Sequence, residues 1–299
     1  NALDKISEEM PSLRTTKHAD EVINDSNVNL LSIASYDNFH AEQVINALEK
    51  GKHVFVEKPL CMNRKELDWI VSTLDKHPNL KLSSNLILRK STRFIELKKR
   101  IESGSLGETY HFEGSYDYGR LSKLTEGWRG TIPNYSVTHG GAIHLIDLIL
   151  WLSGKKAVSA QAVGNKIPTQ NSRFKGFSLT SAIIEFEDGS TAQITSNFAS
   201  LTPHHHKLCV YGTSGTFEQS HLGAAYFNSR EPDQPPEIVD TPYPGTPKGA
   251  LLNDFIESIL GDKEPLPSKR EVIETMAVSL AIDESIKTQE RGSIIYPTL

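Results

Sequence analysis

The apolar positions change period several times over the first hundred residues. Leu3 to Met10 carries a short helical pattern, and Val28 to Ala34 is a mostly apolar run of strand length, which predicts a strand covered on both faces. From His40 to Lys50 the residues Ala41, Val44, Ile45 and Leu48 recur at helical spacing, with Gly51 placed to end the helix. His53 to Val56 reads as a second short strand running straight into Glu57-Lys58-Pro59. Asn63, with Glu66 three residues on, marks another helix start, and Leu67, Ile70, Val71 and Leu74 supply its buried face. A third strand over about Lys81 to Ile87 precedes a helix ending near Gly104. Strand and helix in alternation predict a parallel sheet with right-handed crossovers.

After Gly107 the period drops to two. Segments 108–118, 157–166, 177–187, 190–200 and 207–212 are strand-like, and Asp188-Gly189 between two alternating runs is a hairpin signal, with Ser214-Gly215 a second turn. The chain therefore divides into residues 1–105, built on a parallel sheet, and residues 106–299, built on a largely antiparallel one. Segment 228–247, rich in Pro and polar residues, reads as a surface loop, and helices over about 248–260 and 269–289 close the chain.

Composition narrows the function classes. With 32 Lys+Arg against 37 Asp+Glu and a net charge of −5, the 299-residue chain carries no electrostatic footprint for nucleic acid or an anionic membrane surface. Cys61 and Cys209 are too few and too far apart for a disulfide framework or zinc ribbon, which suits a reducing cytoplasm. The longest apolar run, Leu145 to Leu152, is short and contains Asp147, so no membrane span is expected. The opening residues are charged and lack the apolar stretch of a secretion signal. A soluble, cytoplasmic enzyme is the expectation.

The first candidate chemistry is Lys58. Ligands of open parallel sheets sit at the carboxyl ends of the strands, and Lys58 lies at such an end. A lysine there can bind phosphate, pair with a carboxylate or donate a proton to an oxygen, and Pro59 holds it extended. Three residues alone equally describe a solvated turn.

A longer pattern changes the weight of that lysine. The stretch Leu30-Leu31-Ser32-Ile33-Ala34-Ser35, His40-Ala41-Glu42-Gln43 and Ala47 through Pro59 resembles the nicotinamide-dependent family named for glucose–fructose oxidoreductase, inositol dehydrogenase and a rhizopine catabolism protein (Gfo/Idh/MocA). The resemblance continues through Gly104 to Glu108, Trp128-Arg129, Gly140-Gly141-Ala142-Ile143-His144-Leu145-Ile146-Asp147 and Tyr211 to Thr216, so it covers almost the whole chain. It implies a Rossmann dinucleotide-binding domain followed by an α+β domain with an open, mainly antiparallel sheet that often mediates oligomers, here a dimer or tetramer. It also implies NAD or NADP as cofactor and hydride transfer with a small-molecule sugar, nucleotide sugar or cyclic polyol. By the same resemblance Lys58 and His144 are the catalytic pair, beside the hydroxyl that loses its proton as its carbon loses hydride. Ala34, Ser35, Tyr36, Glu57, Asn85, Trp128 and Arg129, with Lys58 itself, fall at cofactor-lining positions, and Arg89 at the ring or substrate.

Physical arguments accompany these assignments. His144 is expected in or near the first turn of a helix beginning near Gly140, where the dipole's positive end keeps an imidazole neutral. Asp147, three residues on, is expected to orient that ring or a substrate hydroxyl. Loop residues around 116–138 and 168–177 offer Tyr116, Tyr118, Arg120, Arg129, Tyr135 and Arg173 for a substrate bearing phosphate or an aromatic base.

Two departures from the family pattern stand out. Gly140 occupies the position of an acid usual in relatives, which leaves His139 as an alternative participant and a non-catalytic sugar- or nucleotide-binding protein as an alternative function. The Gly-x-Gly-x-x-Gly turn and the acidic ribose ligand are not present, so a strand–helix–strand unit of roughly 30 or more residues is expected ahead of residue 1, and NAD versus NADP is unreadable. His204-His205-His206 is discounted as a metal site, because alternate strand residues face opposite sides, and no metal is expected.

Overall fold

The computed structural model describes residues 2–243 and 249–299. Helices α1 (Ala2–Glu9) and α2 (Ala19–Asn24) lead into β1 (Leu30–Ile33), α3 (His40–Glu49), β2 (His53–Val56), α4 (Arg64–Lys76), β3 (Leu82–Ser84) and α5 (Thr92–Glu102). The three strands pair in parallel in the order β1-β2-β3. Local chemistry sets the start of α4: Asn63 Oδ1 accepts from the Glu66 amide, while the Glu66 carboxylate accepts from Met62 N, one residue ahead of the cap. The third strand is shorter than its apolar run predicts. Beyond Ser84 the chain enters a 3-10 turn, Ile87–Lys90, and Leu86 and Leu88 are buried by that turn rather than by the sheet.

The second sheet is built from β4 (Thr109–Asp117), β5 (Ala157–Asn165), β6 (Leu179–Phe186), β7 (Thr191–Asn197), β8 (His205–Gly212), β9 (Thr216–Ser220), β10 (Gly223–Phe227), β11 (Glu237–Ile238) and β12 (Gly292–Ser293). Among the described residues its order is β11-β10-β9-β8-β4-β7-β6-β5-β12, with β4 and β7 parallel and the other neighbours antiparallel. The β6–β7 hairpin turns at Asp188-Gly189, where Gly189 has φ +83°, a conformation glycine adopts without strain. The expected loop over 228–247 contains β11, and its residues 244–247 lie outside the described residues, as does residue 248 of the helix expected after it.

Four more helices join these sheets: α6 (Ser122–Thr125), α7 (Ile143–Ser153), α8 (Ala250–Leu260) and α9 (Lys269–Thr288). Helices α7 and α9 pack against each other and against the nine-stranded sheet, and α9 reaches α4 and β3 as well. The chain changes sheet between α5 and β4, and α8 crosses back over that divide. Its Leu251 and Phe255 cover Phe55, the β2 side chain that points away from Val54 and Val56. Leu30 of β1, the strand read as covered on both faces, packs against the same cluster, so this cover comes from more than 200 residues downstream. Among the described residues no helix is long and apolar enough to cross a membrane.

Candidate active site

The site forms where the C-terminal ends of the parallel strands meet the start of α7. Lys58, just beyond β2, donates from Nζ to the Gly140 carbonyl at 2.7 Å. Gly140 belongs to a π-helical turn, Thr138–Ala142, that runs into α7. Such turns are rare and cluster at functional sites. A Cβ at Gly140 would collide with the Tyr135 hydroxyl, and one at Gly141 with the Tyr116 ring. The Gly-Gly pair therefore has a packing cause: a phenol fills the space that an acidic side chain at 140 would need.

His144 projects between the two sheets' elements. Its ring stacks on Tyr116 at 6.2 Å and meets His206 edge-on at 5.8 Å, and its Nδ1 is buried without a hydrogen-bond partner. Burial pushes the imidazole well below its ordinary pKa, reinforced by Lys58, His206 and His204. The expected neutrality thus has a different origin. The helical backbone begins at Thr138, which puts His144 past the first turn, so burial above all, with Lys58 adding to it, keeps the ring uncharged rather than the helix terminus. Lys58 is lowered chiefly by burial, with Asp37 and Glu57 opposing and Arg129 adding to the depression.

The cofactor-lining candidates gather on the strand-end side. Ala34 is exposed, the Ser35 hydroxyl bonds Gln43, and Asn85 donates to Glu57 at 2.6 Å. Tyr36, 51 % exposed, stacks on Trp128 at 4.6 Å, and Arg129 lies 4.3 Å over the other ring of that pair while donating from Nε to Tyr135 at 3.0 Å. An aromatic stack thereby bridges the strand ends and the loop after α6.

Four expected substrate residues are placed elsewhere. Arg89 and Asp147 are buried against each other, with Nε 3.0 Å and Nη2 2.6 Å from the carboxylate. Arg89 Nη1 reaches Glu271 at 2.5 Å, and Thr275 donates to Asp147 at 3.3 Å. Burial opposes the Arg89 charge, but Asp147 and Glu271 hold its pKa above the ordinary range. This brace joins the turn after β3, α7 and α9. Its carboxylate is consumed there, and Asp147 does not orient His144. His139 is likewise spent, with Nδ1 2.7 Å from Ser279 Oγ and Nε2 3.2 Å from Asp283, which pins the π turn to α9. Arg173 donates to the Glu126 and Gly127 carbonyls and so holds the 122–131 loop instead of facing a ligand.

Three residues that sequence reasoning passed over are at the site. Asp37, 7 % exposed, lies close enough to raise the Lys58 pKa; a lone acid in a turn gives no signal of its own. His40 is fully buried with its ring nitrogens 2.6 Å from Pro59 O and 3.1 Å from Ser35 O, tying the β1 end to the Lys58 turn. His206 packs on Tyr116, its cross-strand partner, and on His144; the alternation of the triplet is the available clue, since His204 and His206 both pack on Tyr116 and His205 does not.

Comparison with known proteins adds the context. Residues 4–85 match a model described as an oxidoreductase family with an NAD-binding Rossmann fold, and residues 94–218 match the GFO/IDH/MocA C-terminal domain. An uncharacterized oxidoreductase of Schizosaccharomyces pombe is 32% identical over 145 residues, 48% of this chain and 39% of that protein's length. A myo-inositol 2-dehydrogenase of Thermotoga maritima is 24% identical over 220 residues, 71% of this chain and 63% of the relative. The matched stretch thus spans about two fifths to two thirds of these relatives' lengths. Among solved structures, a levoglucosan dehydrogenase in complex with NADH superimposes with TM-score 0.85 at 20% identity, over 99% of this chain and 87% of that one.

Proposed function

The chain belongs to the Gfo/Idh/MocA oxidoreductase family, and from that premise we propose that the protein transfers hydride between a nicotinamide cofactor, NAD or NADP, and a hydroxyl-bearing carbon of a sugar, nucleotide sugar or cyclic polyol. The observation that carries this reading is the joining of Lys58 to the turn that leads into the His144 helix, at the strand ends where an open parallel sheet takes its ligand. A family relative named for myo-inositol and a fold neighbour solved with NADH support the same class.

The strand ends fit the nicotinamide end of a dinucleotide. Ala34 leaves the backbone open to close approach, the Tyr36–Trp128 stack offers a flat aromatic wall, and Glu57, held by Asn85, presents a carboxylate for ribose hydroxyls. When bound, the nicotinamide supplies the hydride acceptor or donor. The chain's own residues handle the proton. In oxidation the substrate O–H must lose it, and the buried Lys58 amine, lowered from the ordinary lysine range, takes it. His144, neutral at pH 7, hydrogen-bonds the same hydroxyl and fixes it against Lys58.

The test is formation of reduced nicotinamide, followed by absorbance with NAD+ and NADP+ separately, across sugars, inositols and nucleotide sugars. Turnover with a member of the panel that is abolished in Lys58→Ala supports the proposal. No turnover with any of them, alongside measurable ligand binding, would replace it with a binding protein of the same fold.

The protein's setting belongs to the same proposal. Both cysteines are free and buried, in keeping with a cytoplasmic location. Val163 and Ile183 stand 68% and 54% exposed on the outer face of the nine-stranded sheet, a surface suited to a homo-oligomer and testable by sedimentation.

A further inference from the structure

The wall of the site opposite the cofactor side has a chemistry of its own. Tyr116 and Tyr118 project from one face of β4 and its end, and His204 and His206 project beside them from β8 and the residue before it. His206 is 8% exposed, and its Nδ1 is engaged by Tyr243 at 2.6 Å while its Nε2 is left without a partner. That ring packs edge-on against His144, Tyr116 and His204, so the orphan nitrogen lies within this cluster of rings. Arg120, in the turn after β4, lies 5.1 Å over the Tyr118 ring, and among the described residues no carboxylate pairs with it.

The charges around these groups share one sign. His144, His206 and His204 are each pushed below the ordinary imidazole range, first by burial, with Lys58 adding to it at His144 and His206 and Arg120 at His204, so the rings stand neutral and the guanidinium carries the positive charge. The nearby acids, Asp37 and Glu57, act on Lys58 from the strand-end side. Asp117 acts on His205, which occupies the other face of β8. A cluster holding an unpaired guanidinium beside imidazole nitrogens free to donate, with no carboxylate among them, favours an anionic ligand.

We propose that Arg120, His204 and His206 form a subsite for an oxyanion, a carboxylate or phosphate, carried by the sugar substrate. The subsite deepens the dehydrogenase reading by naming its substrate class. Arg120 supplies the forked contact, the two imidazoles supply N–H donors, and Tyr116 and Tyr118 pack the sugar's apolar face.

Direct binding on the full-length protein, measured by calorimetry without turnover, separates this inference from the hydride-transfer proposal. The probes are glucose, glucuronate and glucose 6-phosphate, matched except at C6. Glucuronate or glucose 6-phosphate is expected to bind at least tenfold more tightly than glucose, with the better of the two identifying the oxyanion. Arg120→Gln and His204→Gln are each expected to remove most of that preference while leaving glucose affinity within twofold. Equal or weaker binding of both charged sugars overturns the subsite, as does a preference that survives both substitutions. It is equally overturned if Arg120→Gln weakens NADP+ binding and leaves sugar selectivity intact, since Arg120 would then serve the cofactor.

Discussion

Helix α7 carries two polar regions, one around Asp147 and one around His144, that differ in one respect. On one side Asp147 meets Arg89, Thr275 and, through Arg89, Glu271, and its buried carboxylate is fully engaged. On the other, His144 leaves Nδ1 and His206 leaves Nε2 buried without a hydrogen-bond partner. Buried polar groups in folded proteins are nearly always hydrogen-bonded, so a satisfied network needs no ligand to explain it, whereas a cluster of orphans does. Both regions look functional in sequence, since each places titratable or charged side chains on or beside α7. Satisfaction is what tells them apart: the Asp147 side holds the fold, and the His144 side is free to act.

The sharpest way to break this contrast is to empty one side at a time. Asp147→Ala leaves the Arg89 guanidinium buried without its main partner, and uncompensated buried charges cost about 3–5 kcal/mol. Denaturant melts should show a loss of that order, with turnover per folded molecule little changed. A variant of normal stability and no activity would move Asp147 back into the active site. The converse variants, Lys58→Ala and His144→Ala, should lower turnover by about 10²-fold or more, the scale of an acid–base group, with melts close to the parent. Unchanged turnover in Lys58→Ala would remove it from the chemistry.

His139 sharpens the boundary, because it lies in the same π turn as Gly140 yet faces α9. His139→Ala leaves Ser279 and Asp283 short of a partner, a cost of about 1–3 kcal/mol. It should lower stability by that amount and raise the substrate KM only modestly, as the turn that leads into the His144 helix loosens. Loss of kcat on the scale of His144→Ala, without loss of stability, would show His139 acting on substrate directly.

The difference between the two regions also marks what the chain discloses by itself. Period changes locate the sheets, Asn63 with Glu66 locates the start of α4, and Asp188-Gly189 locates a hairpin, because each is decided by neighbours in sequence. Lys58 at a strand end is legible for the same reason. The Arg89–Asp147 pair joins residues 58 positions apart, and Glu271 lies 182 from Arg89, so nothing local reveals that they spend their charges on one another. The cover of Phe55 by α8 and the approach of Asp37 to Lys58 are similarly long-range. His206 was half legible: strand alternation pairs it with His204 on one face, but only β4–β8 register sets that face against Tyr116 and His144.

The smallest expected effect is also the most discriminating, because it depends on sign. Lys58 must be neutral to accept a proton, so oxidation should rise with pH through the Lys58 pKa and reduction should fall. Asp37 raises that pKa by favouring the ammonium, and Arg129 lowers it by opposing the ammonium. Asp37→Asn should therefore move the acidic limb of the kcat profile for oxidation to lower pH, and Arg129→Gln should move it to higher pH. Opposite displacements of a single limb are hard to obtain from general damage to the site, which would lower the plateau in both variants without choosing a direction. Should both variants shift the limb the same way, or leave it in place, the titrating group is not Lys58. The proton would then have to pass through His144, on whose ring Lys58, His206 and His204 act in the same direction.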